Sequence, residues 1–433
     1  MHSTGLLTDH YELTMLQAAL RSGTASRRCV FELFTRRLPA GRRYGVVAGT
    51  GRALDALESF RFDESQLAYL GEHKVVDETT REWLASYRFS GDIWGYGEGD
   101  VYFHGSPLVV VQSTFAEAVI LETLLLSIFN HDSAVAAAAS RMTGVAEGRP
   151  CIEMGTRRTH EWGAVAAARA AYIAGFDTTS NLQAGVDYGL PTRGTAAHSF
   201  TLLHDTERDA FAAQLDSLGF DTTLLVDTYD VEEAVKTAVE LAGPRLGAVR
   251  IDSGDLSLLA RQVRRQLDEL GATQTRVIVT GDLDEFAIAA LAAAPVDGYG
   301  VGTSLVTGSG YPTSGFVYKL VARAESSSAD ATLLAVAKKS VNKVSVGGRK
   351  WALRRLSAAG VAEVEVIGIG EPPVDDGDDR ALLRELVRDG EIVGREPLDA
   401  ARARHERAVT ELPDDARKLS RGEPAIPTEF LGG

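Results

Sequence analysis

The sequence predicts an α/β protein in which an irregular, barrel-like α/β domain with helical crossovers is joined to a second, α+β domain. Between residues 165 and 305, short apolar runs alternate with helical segments, the order typical of parallel strands. Each run ends in Asp, Ser, Thr or Gly, and the carboxyl ends of such strands form the ligand-binding edge. The first third lacks this alternation, so we expect the N-terminal region and the C-terminal tail to form the second domain.

The individual elements follow from the same patterns. In the middle third we expect strands at 224–226, 248–251, 277–279 and 298–301, and helices at 256–270 and 285–294. Outside it we expect β-like runs at 29–34, 92–95, 333–337 and 350–353, an apolar helix-like segment at 115–139 and a charged helix near 398–409. The predicted domains are therefore 1–135, 136–325 and 326–433, with the last packing against the first.

Composition limits the class of protein. A chain of 433 residues with 45% hydrophobic residues can bury a large core. Its net charge of −15 argues against a nucleic-acid-binding protein. Two cysteines, Cys29 and Cys151, indicate neither a disulfide framework nor a zinc site. Residues 1–10 lack the pattern of a signal peptide, and the apolar run 118–129 is shorter than the about 20 residues of a membrane span. We expect a soluble, cytoplasmic protein.

Three successive strand ends carry residues suited to a phosphorylated sugar. Residues 250–255 place Arg250 and Asp252 at a turn, where carboxylates suit hydrated Mg²⁺ or ribose hydroxyls. Alternatively, Asp252 caps the helix that starts near residue 256, and Asp255 solvates its first turn. Residues 280–282 repeat the pattern, and residues 298–304 offer three glycines before hydroxyl side chains. Such glycines let backbone N–H groups approach a phosphate, although glycine turns are also common elsewhere.

Three further segments carry candidate functional side chains. His198 lies among small residues at 194–199; it is either a phosphoryl acceptor or a hydrogen-bonded structural residue. Arg157 and Arg158 follow a glycine in 153–158 and could clamp a carboxylate or form a solvated helix start. The pattern of residues 8–12 predicts only a capped helix N-terminus.

Taken in order, these segments resemble the nicotinate phosphoribosyltransferase family, of the type II phosphoribosyltransferases, from residue 7 to about residue 355. The nine matching segments are 8–15, 99–103, 122–126, 153–158, 179–181, 194–199, 250–256, 280–282 and 300–303.

The resemblance implies roles for individual residues. Asp252 and Asp282 would bind ribose hydroxyls or metal-bound pyrophosphate, and His198 would be phosphorylated by ATP, a co-substrate. Mg²⁺ is the implied cofactor. The residues implied in substrate binding are Tyr11, Met154, Arg157, Ser180, Arg250, Gly281, Gly300, Gly302 and Thr303.

Within that set, Arg157 would hold the nicotinate carboxylate and Arg250 would line the base and phosphate region. Tyr11 would stack on the pyridine ring from the neighbouring subunit of a homodimer. Met154 stands where the family often has Phe, so a thioether would replace one face of the base sandwich. The glycines and Thr303 would cradle the 5′-phosphate.

A basic run at 338–343, with Arg349 and Lys350 behind it, resembles the family's C-terminal motif for polyphosphate contact. A solvated strand edge is the alternative for this run.

The implied reaction joins nicotinate to phosphoribosyl pyrophosphate, forming nicotinate mononucleotide and pyrophosphate with coupled ATP hydrolysis, in NAD salvage. Nicotinamide phosphoribosyltransferase is the nearest alternative. That family places a carboxylate near the position that Ser180 occupies in this chain. A neutral Ser180 suits an anionic substrate such as nicotinate better, because a carboxylate there would repel it. Quinolinate phosphoribosyltransferase and a non-catalytic nucleotide-binding regulator are further candidates. Retention of His198, Asp252 and Asp282 together favours an enzyme.

Overall fold

The computed structural model of the chain describes residues 3–338 and 345–432. Two compact units are present: one comprises Met1–Ala134 and Thr313–Gly433, and the other comprises Val135–Pro312.

Short helices and strands make up the chain before the first unit boundary. In order, they are α1 (His10–Arg21), β1 (Arg28–Thr35), β2 (Gly45–Val46), α2 (Thr50–Glu58), α3 (Glu64–Glu72), α4 (Glu78–Ala85), β3 (Asp92–Tyr96), β4 (Val101–Tyr102), β5 (Val109–Thr114), α5 (Phe115–Val119) and α6 (Glu122–Val145), which crosses the boundary.

The second unit continues with β6 (Cys151–Glu153), a 3-10 turn (Thr156–Arg158), α7 (Glu161–Ile173), β7 (Thr178–Thr179), α8 (Leu182–Tyr188), α9 (His198–Leu203), α10 (Glu207–Leu218), β8 (Thr223–Leu225), α11 (Val231–Ala242), a 3-10 turn (Gly243–Arg245), β9 (Ala248–Ile251), α12 (Leu256–Glu269), β10 (Arg276–Val279), α13 (Glu285–Ala290), β11 (Gly298–Val301) and α14 (Thr303–Val306).

The remaining elements are β12 (Phe316–Ala324), β13 (Leu333–Ala335), β14 (Lys350–Leu356), β15 (Ala362–Ile369), β16 (Arg380–Ala381), β17 (Leu383–Arg388), β18 (Glu391–Ile392), α15 (Leu398–Thr410), a 3-10 turn (Asp414–Arg417) and β19 (Thr428–Leu431).

The second unit is built on a curled, half-barrel sheet of six strands in the order β7-β6-β11-β10-β9-β8. Every neighbouring pair in it is parallel, so all six carboxyl ends meet at one edge. The strands are short and fully or largely buried because helices cover them. The predicted α/β fold class is confirmed.

The first unit is α+β, as predicted, and combines the two ends of the chain. A seven-stranded sheet in the order β13-β12-β1-β5-β3-β17-β18 pairs N-terminal with C-terminal strands, and its described pairs are antiparallel. Two smaller sheets accompany it, β16-β14-β15-β19 and β2-β4. In the core, the rings of Phe31 and Tyr318 stack with centroids 4.9 Å apart. Strand β12 lies within the range 136–325 that the sequence grouped with the barrel-like domain, but it pairs with β1.

The apolar segment predicted as one helix at 115–139 is two helices. Thr114 caps α5 through its side chain, and the break at residues 120–121 precedes α6, which runs on to Val145. In the described part of the chain, Phe115–Val145 has the length and apolar composition of a membrane span, but 67% of its most apolar window is buried. That burial is typical of a core helix.

Candidate active site

The edge of the parallel sheet brings the ends of β9 and β10 together. Ile251 is in register with Val279, and the backbone N–H of Thr280 donates to the Ile251 carbonyl at 2.9 Å. The Thr280 hydroxyl therefore reaches the Asp252 carboxylate and donates to it. Gly281 follows with a φ of +126°, and a Cβ there would lie 2.9 Å from the Asp252 carbonyl oxygen. Only glycine fits this turn without strain.

The structure decides between the two interpretations of the carboxylates after β9. Asp255, not Asp252, is the N-cap of α12, and its side chain accepts from the Leu258 N–H at 3.0 Å. The interpretation of Asp252 as a helix cap was wrong. Its carboxylate is held by a neighbouring strand end, which leaves it at the edge where ligands bind α/β sheets.

His198 is the first residue of α9 and contacts the loop after β8. Its Nδ1 lies 3.1 Å from the Thr228 hydroxyl, and its Nε2 lies 3.9 Å from Oδ1 of Asp227. Asp227 Oδ2 accepts from the Asp252 N–H at 2.9 Å and from the Ser253 hydroxyl at 2.7 Å. Asp227 Oδ1 is buried and has no hydrogen-bond partner among the described residues. Asp227 therefore links the histidine to the β9 strand end.

The sequence prediction gave no role to Asp227 or Thr228. A signal was present, because Asp227 follows an apolar run in the same way that Asp252 does. Without the sheet order, however, nothing indicated that the β8 loop and His198 would meet.

Arg250 brings a cation into this cluster. Its Nη2 donates to the Ala196 carbonyl at 2.9 Å, whereas its Nε is buried with no partner in the described chain. Burial lowers the pKa of the guanidinium; Asp252 and Asp227 oppose that shift, and Arg157 adds to it. A partly desolvated guanidinium of this kind attracts an anion.

The carboxyl ends of β6 and β7 lie along the same sheet edge, at the opposite end of the strand order from β9 and β8. Glu153 is buried, and it accepts from the Thr179 hydroxyl and the Gly155 N–H; burial raises its pKa. This carboxyl group fixes the loop in which exposed Arg157 lies. The Ser180 hydroxyl lies 3.5 Å from that of Thr156, so neutral groups stand next to the arginine.

The glycine strand end of β11 is packed closely. A Cβ on Gly300 would lie 2.5 Å from Cγ2 of Thr280 and 2.7 Å from Sδ of Met154. Gly302 follows the strand, and its Cβ would meet the Met154 carbonyl oxygen at 3.4 Å. Thr303 begins α14 and is exposed. Met154 thus packs against the glycines that the resemblance assigns to phosphate binding.

Most of the predicted site residues therefore share one edge, and Asp282 is exposed in the same β10 loop as Gly281. Tyr11 is different because it belongs to the first unit. There it is 45% exposed on α1, and partial burial together with Glu122 and Glu12 raises the pKa of its hydroxyl.

The basic run at 338–343 lies outside the described residues from 339 onward. The two cations behind it are held within the first unit. Lys350 is buried and pairs with Glu32 at 2.7 Å, and the Arg349 guanidinium lies 3.9 Å from the Trp351 ring centroid. Burial lowers the pKa of Arg349 to about 10.

Comparisons with known proteins bear on this geometry. Residues 6–130 match the family model of the nicotinate phosphoribosyltransferase (NAPRTase) N-terminal domain. The chain is 57% identical over 436 residues to nicotinate phosphoribosyltransferase pncB1 of Mycobacterium tuberculosis, covering 99% of this chain and 95% of the relative. It is 38% identical over 391 residues to nicotinate phosphoribosyltransferase of Bacillus subtilis, covering 86% and 78%.

The chain belongs to the nicotinate phosphoribosyltransferase family. Its fold also matches the crystal structure of human nicotinic acid phosphoribosyltransferase, with a TM-score of 0.82, 25% identity and coverage of 98% of this chain and 97% of the human one.

Proposed function

We propose that the chain transfers the phosphoribosyl group of phosphoribosyl pyrophosphate to nicotinate, forming nicotinate mononucleotide and pyrophosphate in NAD salvage. Membership of the family supports this reaction. The location of the active site is inferred from the way three residues meet at one edge of the parallel sheet. Asp227 lies between His198 and the Asp252 loop at a single edge of the parallel sheet. Arg250 supplies positive charge at the same edge.

Arg157 is the proposed anchor for nicotinate. An exposed guanidinium that approaches a carboxylate can form two parallel charge-assisted hydrogen bonds. The neutral hydroxyls of Thr156 and Ser180 beside it add no competing negative charge. This environment favours nicotinate over nicotinamide, whose neutral amide gains less from the guanidinium.

The proposed chemistry is a displacement at the anomeric carbon. The bond between that carbon and the pyrophosphate oxygen breaks, and a bond to the pyridine nitrogen forms with inversion. The nitrogen attacks with its own lone pair, so no general base is needed, and positioning and charge stabilisation supply the catalysis. Asp252 and Asp282 would hold the ribose hydroxyls or the metal-bound pyrophosphate.

The strand edge fits the Mg²⁺ that the family implies. Mg²⁺ keeps several waters and binds through one or two carboxylates together with substrate phosphates, and Asp252 and Asp282 could supply these. Among described residues, the one group of three clustered carboxylates is Asp375, Asp376 and Asp379, in the first unit. When bound, Mg²⁺ would neutralise charge on the departing pyrophosphate.

ATP is the proposed co-substrate, with His198 as the phosphoryl acceptor. The imidazole would take the γ-phosphoryl group and release ADP, and water would later release phosphate from the phosphohistidine. Asp227 would stabilise the protonated ring, because its buried Oδ1 faces Nε2 without another hydrogen-bond partner in the described chain.

The proposal includes a homodimer with shared active sites and a cytoplasmic location. Exposed Tyr11 on α1 is the residue that would complete the partner's site. Cys29 and Cys151 are both buried free thiols, a state that suits a reducing compartment.

A side-by-side assay tests the proposed substrate. Purified chain receives phosphoribosyl pyrophosphate, ATP and Mg²⁺ with nicotinate, nicotinamide or quinolinate, and mononucleotide product is measured. We expect nicotinate to have the highest kcat/KM. A higher value for either other base would transfer the assignment to that base, and no product with any base would support the non-catalytic regulator.

A further inference from the structure

A polar cavity of about 240 Å³ in the first unit is not used by the proposed reaction. It lies between α15, the β16–β17 segment and the turn that joins β3 to β4. Six charged residues line it: Asp100, Arg380, Arg384, Arg404, Arg407 and Glu411. Asp100 belongs to the matching segment 99–103, which has no role in the proposed transfer reaction.

Three of the four arginines pair with carboxylates. Arg380 contacts Asp100 at 2.5 Å and Glu411 at 2.8 Å. Arg384 and Arg404 share the carboxylate of Glu396, each at 2.6 Å. The lining holds four guanidinium groups and two carboxylates, those of Asp100 and Glu411. Glu396 pairs with two of the arginines, and Asp100 also pairs with Arg354, whose charge Glu365 balances. One positive charge is therefore left at this cavity, in a chain whose net charge is −15.

Arg407 carries that surplus charge. It is exposed on α15 and forms no ion pair with any described residue. Arg404 lies one turn earlier on the same helix face, so the two guanidinium groups can approach one ligand together. Pairing fixes the Arg404 side chain through Glu396 and the Glu98 carbonyl at 2.6 Å, so little of its conformational freedom remains to be lost on binding.

We propose that this cavity binds a small, multiply charged phosphate anion, such as pyrophosphate. Guanidinium forks match the geometry of phosphate oxygens and bind them bidentately. The volume is below the about 300–1,000 Å³ of pockets for drug-sized ligands, so the ligand is a small anion or the phosphate end of a larger one. Glu411 opposes the anion, and together with Asp100 it accepts from all three nitrogens of the Arg380 guanidinium, whereas no described residue accepts from Nε of Arg404.

Calorimetric titration of the full chain with pyrophosphate tests the proposal. Arg407→Gln should weaken the cavity site about tenfold or more, since it removes a charged donor. Arg417→Gln is the matched control: Arg417 lies in the same unit, is exposed and does not line the cavity. It should bind as wild type does. Glu411→Gln should tighten binding, because it removes a negative charge and frees Arg380.

The test compares the pyrophosphate affinity of the variants with that of wild type. Pyrophosphate that binds at the carboxyl edge of the parallel sheet contributes equally to each titration, so it does not affect the comparison. Mononucleotide formation in Arg407→Gln should match that of wild type. Isotherms that are identical for wild type, Arg407→Gln and Glu411→Gln would overturn the proposal. An Arg417→Gln effect as large as that of Arg407→Gln would overturn it as well, since it would indicate a general charge effect. Equal binding of succinate would exclude the phosphate class.

Discussion

His198 lies between two polar groups, the Thr228 hydroxyl at 3.1 Å from its Nδ1 and a buried carboxylate oxygen of Asp227 at 3.9 Å from its Nε2. We predict that His198→Ala abolishes ATP hydrolysis and acid-labile phosphorylation but leaves slow, ATP-independent transfer. Radiolabelled ATP and a pyrophosphate-release assay measure the two activities. His204→Ala, at the end of the same helix, is the control and should remain phosphorylated. Undiminished phosphoenzyme in His198→Ala would contradict the role.

Arg157 is expected to act on one substrate only. Arg157→Ala should raise KM for nicotinate far more than KM for phosphoribosyl pyrophosphate. Arg157 is exposed in the free chain. If bound nicotinate excludes water from the pair, losing its bidentate, charge-assisted bonds costs about 2–5 kcal/mol, which corresponds to roughly thirtyfold or more. Steady-state kinetics with each substrate varied in turn measure the two KM values.

Arg158→Ala is the matched comparison, because Arg158 is the adjacent exposed residue of the same 3-10 turn. A larger nicotinate effect in that variant would move the carboxylate anchor to Arg158.

At the residue scale, the sequence predicts which side chains form the site better than it predicts the contacts between them. The sequence predicts Asp252 as a site residue, but its hydrogen bond with Thr280 depends on the alignment of β9 with β10. That alignment holds the Asp252 carboxylate, and Asp255 caps α12 instead. The sequence predicts Asp227 only as a residue at the end of a strand. Its link to His198 depends on the packing of α9 against the β8 loop, which spacing along the chain does not encode.

Among the elements, β11 makes the closest approach to its neighbours. Gly300→Ala would force a methyl group to within 2.5 Å of Thr280 Cγ2 and 2.7 Å of Met154 Sδ. We predict a rise in KM for phosphoribosyl pyrophosphate together with a loss of about 1–3 kcal/mol in unfolding free energy from overpacking. Kinetics and chemical denaturation measure these effects.

Gly144→Ala provides the control on α6, where a Cβ meets nothing within 4 Å. It should preserve the KM, and its stability should stay equal to or above that of wild type. Wild-type kinetics in Gly300→Ala would show that β11 is not part of the phosphate cradle.

At the scale of elements, the sequence predicts four of the six parallel strands, β8 to β11, within one residue, because buried runs bounded by polar turns are distinctive. It does not predict β6 or β7, which have three and two residues. The helix predicted to 294 ends at Ala290, since an alanine-rich segment carries no strong stop signal. Short strands such as β7, β16 and β18 have two residues each, too few for any periodicity to appear.

For the whole molecule, the shared-site prediction is that Tyr11 of one subunit completes the site of the other. Mixing inactive Tyr11→Ala chains with inactive Asp252→Ala chains should then restore activity, because one site of each mixed dimer carries neither change. Random pairing makes about half of the dimers mixed, so recovery should approach about a quarter of wild type.

Native mass spectrometry of the mixture confirms subunit exchange, and each variant is assayed alone as the baseline. No recovery after complete exchange would contradict the shared site and place Tyr11 within its own chain's site.

The carboxyl edge of the parallel sheet is the proposed site of phosphoribosyl transfer, and a pair of neighbouring aspartates tests this assignment most directly. Pyrophosphate release is measured with nicotinate for wild type, Asp252→Asn and Asp255→Asn. We predict that Asp252→Asn lowers kcat/KM by roughly thirtyfold or more, because it removes a charge at the site. Asp255→Asn should stay within about twofold, because asparagine also caps helices well. Wild-type kinetics in Asp252→Asn, or an equal loss in both variants, would contradict the assignment.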